Sequence, residues 1–157
     1  RHFFTSFDAE LGRAIRFGHP LSCIMVDLDR FKDINDRHGH LVGDRVLCLA
    51  AERLRDGCRG FDILARFGGE EFIVLLPHTA LEEAVQVAER LRRAIGEVEL
   101  SLDGGERLRV TASFGVAQWQ APREQGGELG ESLLKEVDAA LYAAKQAGRN
   151  VVRAAVA

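Results

Sequence analysis

The sequence predicts an α+β fold in which helices flank a central, mostly antiparallel sheet. Apolar segments of strand length alternate with amphipathic segments of helix length, but without the regular strand–helix–strand repeat of an all-parallel sheet. In addition, Gly68-Gly69 and Asp103-Gly104-Gly105 each separate two strand-like runs. Such turns are typical of tight β-hairpins, because two adjacent glycines can both take positive φ without a Cβ clash.

The predicted elements follow in the order helix, strand, two helices, hairpin, helix, hairpin, helix and strand. Helices are indicated by apolar residues recurring on one face, and strands by short apolar or alternating runs. Gly and Pro residues mark most of the boundaries. The segments are a helix at 3–17, a strand at 21–26 buried on both faces, a helical turn at 31–37, a helix at 42–54, a hairpin of 61–65 with 72–76, a helix at 81–95, a hairpin of 97–102 with 108–117, a mobile loop at 120–130, a helix at 133–144 and a strand at 151–152.

Length and composition predict one globular domain over residues 1–157, since 46% of its residues are hydrophobic and 29% charged. The net charge of −3 argues against a nucleic-acid binder. No apolar run approaches the ~20 residues that a membrane span needs, and no signal peptide opens the chain, so a cytoplasmic location without direct membrane contact is expected. Because the chain begins Arg1-His2 without Met, we expect a domain excised from a longer, multidomain protein, whose other segments could include a membrane anchor.

The three cysteines, Cys23, Cys48 and Cys58, are expected to be small core residues in a reducing compartment. Their number is odd, and none belongs to a CxxC pair. A disulfide framework or a zinc site is therefore not indicated.

Two carboxylate sites stand in otherwise apolar surroundings. Glu70 and Glu71 enter a strand directly after the Gly-Gly turn, and Asp27 ends the buried first strand. A carboxylate near a core is costly unless a cation or donor compensates it. One interpretation is structural, with a solvated hairpin tip and Asp27 capping a helix or pairing with an arginine. In the other, neighbouring strands bring the carboxylates together to bind two divalent cations, which activate an attacking hydroxyl and stabilise the leaving oxygen of a phosphoryl displacement.

Several polar residues have both a local and a functional interpretation. Asp29 is expected to cap the helical turn that follows it. Asp44 lies near a helix start, where an acid favours the helix dipole but could equally be a ligand. Asn35 could serve turn chemistry alone. Lys145 and Arg149, one turn apart at the end of the last helix, are either solvated cations or contacts for outer phosphates.

Six ordered blocks cover almost the whole chain and together are very specific. They are Asp27-Leu28-Asp29-Arg30-Phe31-Lys32, Asn35-Asp36-Arg37-His38-Gly39-His40, Gly43-Asp44, Arg66-Phe67-Gly68-Gly69-Glu70-Glu71-Phe72, Ser113-Phe114-Gly115-Val116 and the run from Asp138 to Asn150. With these blocks the chain resembles the GGDEF-domain diguanylate cyclases, in the GGEEF form. The resemblance implies a nucleotidyl-cyclase or ferredoxin-like sandwich whose hairpin carries GGEEF. It also implies condensation of two GTP into cyclic di-GMP with release of two pyrophosphates.

Carried onto this sequence, the family's metal ligands would be Asp27, the Leu28 carbonyl and Glu70, with Glu71 as a further metal-side carboxylate. The resemblance implies two Mg²⁺ per active site, with Mn²⁺ as an alternative. Glu70 would help deprotonate the ribose 3′-hydroxyl that attacks the α-phosphate of the other GTP. Since one half-site holds one GTP, a homodimer is needed and a monomer should be inactive.

The substrate contacts are also implied by the resemblance. Asn35 and Asp44 would hydrogen-bond the guanine edge, and an acid at position 44 favours guanine, whose N1–H and N2–H₂ are donors, over adenine. Gly68 and Gly69 would let the nucleotide approach the backbone. The groups implied for the phosphates are the side chains of Lys32, Lys145 and Arg149 and the backbone N–H groups around Arg30 and Phe31.

Arg59-Gly60-Phe61-Asp62 is an RxxD element that ends five residues before Gly68. In the family, this position is the inhibitory site for the product. An arginine offers planar bidentate donors to guanine or phosphate, and the aspartate can orient the arginine. From the residues alone, a local Arg–Asp pair at a strand start is the alternative. Arg90 matches a secondary contact of that site.

Two other functions stay open at this stage. A receptor that binds GTP or cyclic di-GMP without catalysis is disfavoured, because it would have no reason to keep metal carboxylates beside a nucleotide pocket. A cyclase that makes a mixed or adenine dinucleotide is disfavoured by Asp44. The segment Asp-x-Leu-Thr-x-Leu-x-Asn-Arg, which usually precedes the domain in this family, is absent, and only Arg1-His2-Phe3 could be its end. The sequence therefore does not indicate the activating signal.

Overall fold

The computed structural model describes residues 2–120 and 130–156 and confirms the α+β class. Helices and strands alternate much as the sequence predicts, and each predicted helix is present. The predicted mobile loop at 120–130 lies almost wholly outside the described residues. The elements are α1 (His2–Phe17), β1 (Leu21–Leu28), α2 (Phe31–His38), α3 (His40–Gly57), β2 (Ile63–Arg66), β3 (Glu71–Pro77), α4 (Leu81–Gly96), β4 (Glu99–Ser101), β5 (Arg107–Arg109), β6 (Ala112–Gln118), α5 (Glu131–Gln146) and β7 (Val152–Ala154).

The main sheet has five strands in the order β2-β3-β1-β6-β7, with β1 at its centre. Both neighbours of β1 run antiparallel to it, and β2 is antiparallel to β3, whereas β7 is parallel to β6. The prediction of a mostly antiparallel sheet is therefore confirmed. All of β1 is buried, as its continuous apolar run predicts for a strand covered on both faces.

The two faces of the sheet pack against different helices. Ile24 and Val26 of β1 belong to a core shared with α2, α3 and α4, whereas Cys23 and Met25 belong to one shared with α1 and α5. This division follows from the period of two along a strand. Asp27 lies two positions after Met25, so its side chain lies on the same face of the sheet, the one that packs against α5.

The second hairpin differs from the prediction. Gly104 and Gly105 do take positive φ, 87° and 86°, and turn β4 into β5. The run at 108–117 is not one strand, however, because β5 pairs only with β4, while β6 joins the main sheet beside β1. The chain changes partner at Val110 and Thr111, where the Thr111 carbonyl accepts the Asp29 N–H at 2.8 Å.

Gly115 of β6 brings α5 unusually close to the sheet. A Cβ at this position would lie 2.3 Å from the Leu141 backbone nitrogen and 2.5 Å from the Val137 carbonyl oxygen. Because backbone atoms cannot move aside easily, only glycine allows this approach. Gly115 thus sets the position of α5, and with it the position of Lys145 at the far end of the helix.

The cysteines only partly match the expectation of core residues. Cys23 is buried, and burial raises the pKa of its thiol strongly. Burial, together with the charge of Asp62, raises the pKa of Cys58 to about 11. Cys48 is exposed on α3, so the core prediction is wrong for this residue, which lies on the outer side of its helix. Among the described residues, no helix is both long and apolar enough to cross a membrane.

Candidate active site

Asp27 and the Glu70–Glu71 pair lie together at one end of the sheet. Pairing of β1 with β3 places Asp27 opposite Glu71, and the Leu28 N–H donates to the Glu70 carbonyl at 3.2 Å. Asp27 is only 6% exposed, and both glutamates are half-buried. Residues opposite each other in an antiparallel pair have Cβ atoms about 4.5–5.5 Å apart. The strands that carry the two carboxylate sites are therefore neighbours, as the metal-binding interpretation requires.

Lys145 on α5 is the cation at this cluster. Its Nζ donates to Asp27 Oδ2 at 2.7 Å. Burial, followed by the charge of Asp27, raises the pKa of both Glu70 and Glu71, and the charge of Lys145 opposes the rise without cancelling it. The cluster thus carries more negative charge than its one lysine neutralises.

The Gly-Gly turn differs from the tight hairpin that the sequence predicts. Neither Gly68 nor Gly69 has a positive φ, and the strands are joined by the loop 67–70 rather than by two residues. The Glu71 carbonyl accepts the Phe67 N–H at 2.8 Å, and Arg66 Nε donates to the carbonyls of both glycines at 3.2 Å. A Cβ at position 68 would lie 2.6 Å from Glu71 Oε2. Glycine at position 68 therefore gives room to the Glu71 carboxylate, whereas backbone φ does not demand it.

The donor set at the cluster fits a divalent cation. In the part of the chain that the structure describes, no three His, Cys, Asp or Glu side chains form a ready-made metal cage. Mg²⁺ does not need one, since it is held by one or two carboxylates together with waters and substrate phosphates. Burial, and after it the charge of Asp27, raises the pKa of Glu70 and Glu71, and a nearby cation would favour their charged forms. Asp27, both glutamates and the Leu28 carbonyl are the groups that could hold it.

Two loops with left-handed residues lie beside the cluster. Arg30, between β1 and α2, has φ 53°, and Arg149 and Asn150, after α5, have φ 66° and 45°. Arg30 and Arg149 line the same open cavity of about 410 Å³. The N terminus of α2 has no side-chain cap, which leaves its first N–H groups, from Phe31 onward, available to an anion. Lys32 is exposed on α2 but is not among the residues that line this cavity.

Asn35 makes an unusually close contact with α3. Its Oδ1 is buried without a hydrogen-bond partner, and a Cβ on Gly43 would lie only 1.9 Å from it. Gly43 is thus required for Asn35 to occupy its position, and Asp44, which follows directly, is exposed. A buried oxygen without a protein partner is rare in folded proteins. The residues predicted to read guanine therefore lie at the junction of α2 and α3.

Asp29 does not cap α2 as the sequence predicts. The helix has no side-chain cap, and the Asp29 carboxylate instead accepts hydrogen bonds from Thr111 Oγ1, Ser113 Oγ and the Asn150 N–H. Neither Thr111 nor Ser113 is predicted from the sequence to have a role at the site. The only available signal was that both are hydroxyl residues on the polar side of an alternating run.

The RxxD residues gather around the loop before β2. Asp62 Oδ2 accepts the Arg59 N–H at 2.7 Å, whereas Oδ1 is buried without a partner. Arg90 on α4 donates to the Gly57 carbonyl at 2.9 Å. Burial raises the pKa of Asp62, although the charges of both arginines oppose the rise. The Arg59 guanidinium pairs with Glu83 of α4, a partner that nothing in the sequence indicated.

Comparison with known proteins finds similar sequences over almost the whole chain. Residues 1–151 match the protein family described as diguanylate cyclase, GGDEF domain. The chain is 46% identical to the diguanylate cyclase DgcP of Pseudomonas aeruginosa over 143 residues, which are 91% of this chain and 20% of DgcP. It is 40% identical to the response regulator PleD of Caulobacter vibrioides over 153 residues, 97% of this chain and 33% of PleD. The chain thus spans about a fifth to a third of these relatives.

Solved structures show the same fold. The GGDEF domain of DgcB from Caulobacter crescentus, in complex with c-di-GMP, superposes with a TM-score of 0.88 at 32% identity, covering 98% of this chain and 88% of that one. The active GGEEF domain of a diguanylate cyclase from Vibrio cholerae gives a TM-score of 0.83 at 34% identity, covering 95% and 91%. The chain therefore belongs to the GGDEF-domain diguanylate cyclase family.

Proposed function

We propose that this chain condenses two molecules of GTP into cyclic di-GMP and releases two pyrophosphates. The observation that carries the proposal is the cluster of Asp27, Glu70 and Glu71 at the ends of two neighbouring strands, with Lys145 beside it. Relatives that are 46%, 36% and 45% identical, namely DgcP, DosC and DgcM, are named diguanylate cyclases, which supports the same activity here.

Each half of the reaction is one displacement at phosphorus. The 3′-oxygen of one GTP forms a bond to the α-phosphorus of the other, the bond from that phosphorus to the bridging oxygen breaks, and pyrophosphate leaves. We assign Glu70 to receive the 3′-hydroxyl proton, because it is a half-buried carboxylate directly before β3, beside the end of β1 that carries Asp27. Lys145 and Arg149, with the uncapped N terminus of α2, would balance the charge of the departing pyrophosphate.

Asp27, the Leu28 carbonyl, Glu70 and Glu71 would hold the divalent cations, two Mg²⁺ per site with Mn²⁺ as an alternative. Such ions stabilise the attacking and leaving oxygens of an in-line displacement. The protein contributes the cluster of carboxylates that attracts these cations. In the metal-free protein, the pKa values of Glu70 and Glu71 are raised.

Guanine recognition is assigned to Asn35 and Asp44. The unpartnered Oδ1 of Asn35 and the exposed carboxylate of Asp44 are acceptors, and the guanine edge offers N1–H and N2–H₂ as donors. Adenine would present an acceptor at N1 to the same carboxylate. Replacing Asp44 by serine should therefore relax the preference for GTP over ATP, and unchanged selectivity would contradict the assignment.

Catalysis should require two domains that face each other, because one carboxylate cluster serves one GTP. The homodimer is thus a part of the proposed mechanism. At low concentration the rate should rise with the square of the domain concentration.

The test is chromatographic analysis of products after incubation with GTP and Mg²⁺. The chain is compared at several concentrations with the isosteric variant Glu70→Gln, and in a second form fused to a dimeric coiled coil. We expect cyclic di-GMP from the unaltered chain, a more than thousandfold slower reaction with Glu70→Gln, and a linear dependence on concentration in the fused form. If the fused form binds GTP but makes no product, the proposed cyclase activity is contradicted and a receptor function is favoured.

We further propose that Arg59, Asp62 and Arg90 bind the product and inhibit the enzyme. The convergence of two arginines on one loop and the unpartnered Asp62 Oδ1 support a ligand at this place. The related domain of DgcB was crystallised in complex with c-di-GMP. Because β2 has four residues at about 3.3 Å each, this site lies only about 13 Å along the strand from the GGEEF loop.

Calorimetry with cyclic di-GMP tests the inhibitory site. Arg59→Ala should weaken binding about tenfold or more, because it removes a bidentate, charged donor. Arg93→Ala is the matched control, since this arginine is exposed on the same helix as Arg90 and its nearest carboxylate oxygen, on Glu89, is 4.0 Å away. Equal affinities of the two variants would contradict the proposal.

A further inference from the structure

Asp29 is a buried carboxylate that the proposed chemistry does not use. It directly follows β1, is 8% exposed, and accepts hydrogen bonds from Thr111 Oγ1 at 2.6 Å, Ser113 Oγ at 2.6 Å and the Asn150 N–H at 3.0 Å. Its own N–H donates to the Thr111 carbonyl at 2.8 Å. A buried carboxylate persists only when donors compensate its lost hydration. Here the donors come from the start of β6 and from the loop after α5.

Asn150 is held from two directions. Its N–H donates to Asp29, and its side-chain Oδ1 accepts from Arg92 Nη1 of α4 at 2.8 Å. Arg92 is in turn oriented by Glu89, whose Oε2 accepts from Arg92 Nε and Nη2 at 3.0 Å. The exposed loop after α5 is therefore tied both to the end of β1 and to a helix on the other face of the sheet.

This loop needs such ties because its backbone is strained. Arg149 and Asn150 are consecutive non-glycine residues with φ 66° and 45°, and Arg30, next to Asp29, has φ 53°. The left-handed region is disfavoured for residues with a Cβ and persists only where the surrounding structure holds it. The hydrogen bond from the Asn150 N–H to the Asp29 carboxylate connects the backbone of these two strained residues to the loop after β1.

We propose that Asp29 is a positioning residue for the phosphates of the nucleotide. Its carboxylate locks the loop after β1 to the loop at 148–150, so that Arg30 and Arg149, one from each loop, line one cavity. With the lock intact, Arg149 and the free N–H groups at the N terminus of α2 are held on adjoining loops, where a triphosphate can contact both. This inference rests on the proposed function for the ligand's identity, whereas the lock itself does not.

The test compares three variants. Asp29→Ala removes the acceptor of all three hydrogen bonds. Asp29→Asn keeps the size of the side chain and a carbonyl oxygen that can accept from the Asn150 N–H. Its NH₂ group can donate a hydrogen bond to one of the two hydroxyls, so this variant should keep most of the function that Asp29→Ala loses. Leu54→Ala is the control for general destabilisation, since Leu54 is fully buried in α3.

The first measurement is hydrogen exchange of the Arg149 and Asn150 amides, which needs no ligand. We expect at least about tenfold faster exchange in Asp29→Ala than in Leu54→Ala. The second is calorimetry with GTP and with guanosine. GTP should bind about tenfold or more weakly to Asp29→Ala, while guanosine, which lacks the phosphates, should bind within about twofold of the unaltered chain.

Each outcome decides a separate point. Equal exchange in Asp29→Ala and Leu54→Ala would overturn the lock. Equal weakening of GTP and guanosine would show a purely structural role and overturn the assignment to phosphates. If the unaltered chain bound no GTP, the proposed function would fail and the phosphate role with it, while the exchange result would still decide whether Asp29 fixes the loop.

Discussion

Replacing Lys145 by methionine should destabilise the metal-free protein by about 1–2 kcal/mol. The change keeps the unbranched stem but removes the ammonium group that donates to Asp27 at 2.7 Å. A hydrogen bond between charged groups contributes about 1.5–3 kcal/mol, and the lysine side chain is 34% exposed, which moves the expected loss toward the lower end. For a chain of this size, that loss corresponds to a melting temperature lower by roughly 2–8 °C.

Lys135→Met is the matched control on the same helix. Its partner Glu131 lies at 3.2 Å, but the two side chains are 77% and 55% exposed, so removal should cost no more than about 0.5 kcal/mol. Both variants are measured by thermal unfolding with and without Mg²⁺. Mg²⁺ should stabilise Lys145→Met more than the unaltered chain, because the cation replaces the lost positive charge. Equal melting temperatures for the two variants, or no larger gain from Mg²⁺, would refute the reasoning.

Three further predictions concern single side chains. Glu71→Gln should raise the metal-free melting temperature by about 1–3 °C at pH 7. A carboxyl whose pKa is raised in the folded state lowers stability only above its pKa in the unfolded state, so the gain should vanish near pH 4. A gain undiminished at pH 4 would contradict the raised pKa of Glu71. Gly115→Ala should lower the unfolding free energy by about 1–3 kcal/mol in denaturant melts, whereas Gly12→Ala, where a Cβ would meet nothing within 4 Å, should not. Glu83→Gln frees Arg59 from its ion pair and should tighten cyclic di-GMP binding about two- to fivefold by calorimetry; unchanged affinity would show that the pair does not compete.

The elements of the fold were predictable wherever the signal was local. The apolar run of β1 and the one-sided apolar faces of the helices depend only on neighbouring residues, and all were found. The partner of a strand is not local. Alternation over 108–117 predicts an extended chain, but it cannot show that β5 pairs with β4 while β6 pairs with β1. At the change of partner, Thr111 donates a hydrogen bond to Asp29, which lies 82 positions away.

The same limit explains the errors within the site. Gly68 and Gly69 were expected to take positive φ, because the sequence shows the glycines but not the Glu71 carboxylate that approaches one of them. Asp29 was expected to cap the next helix, which is the nearest set of free N–H groups in the sequence. Its actual donors are 82, 84 and 121 positions away. Motif blocks thus locate the chemistry, whereas long-range hydrogen bonds decide how each group is used.

Several groups at the predicted contacts oppose folding in the free protein. Among the described residues, the buried side-chain oxygens that lack a partner are Asn35 Oδ1 and Asp62 Oδ1. The sequence assigns the first to the substrate and the second to the product, without any knowledge of burial. An unpartnered buried oxygen and a carboxylate with a raised pKa both oppose folding until a donor or cation arrives. The predicted contacts with substrate and product thus coincide with groups whose burial opposes folding.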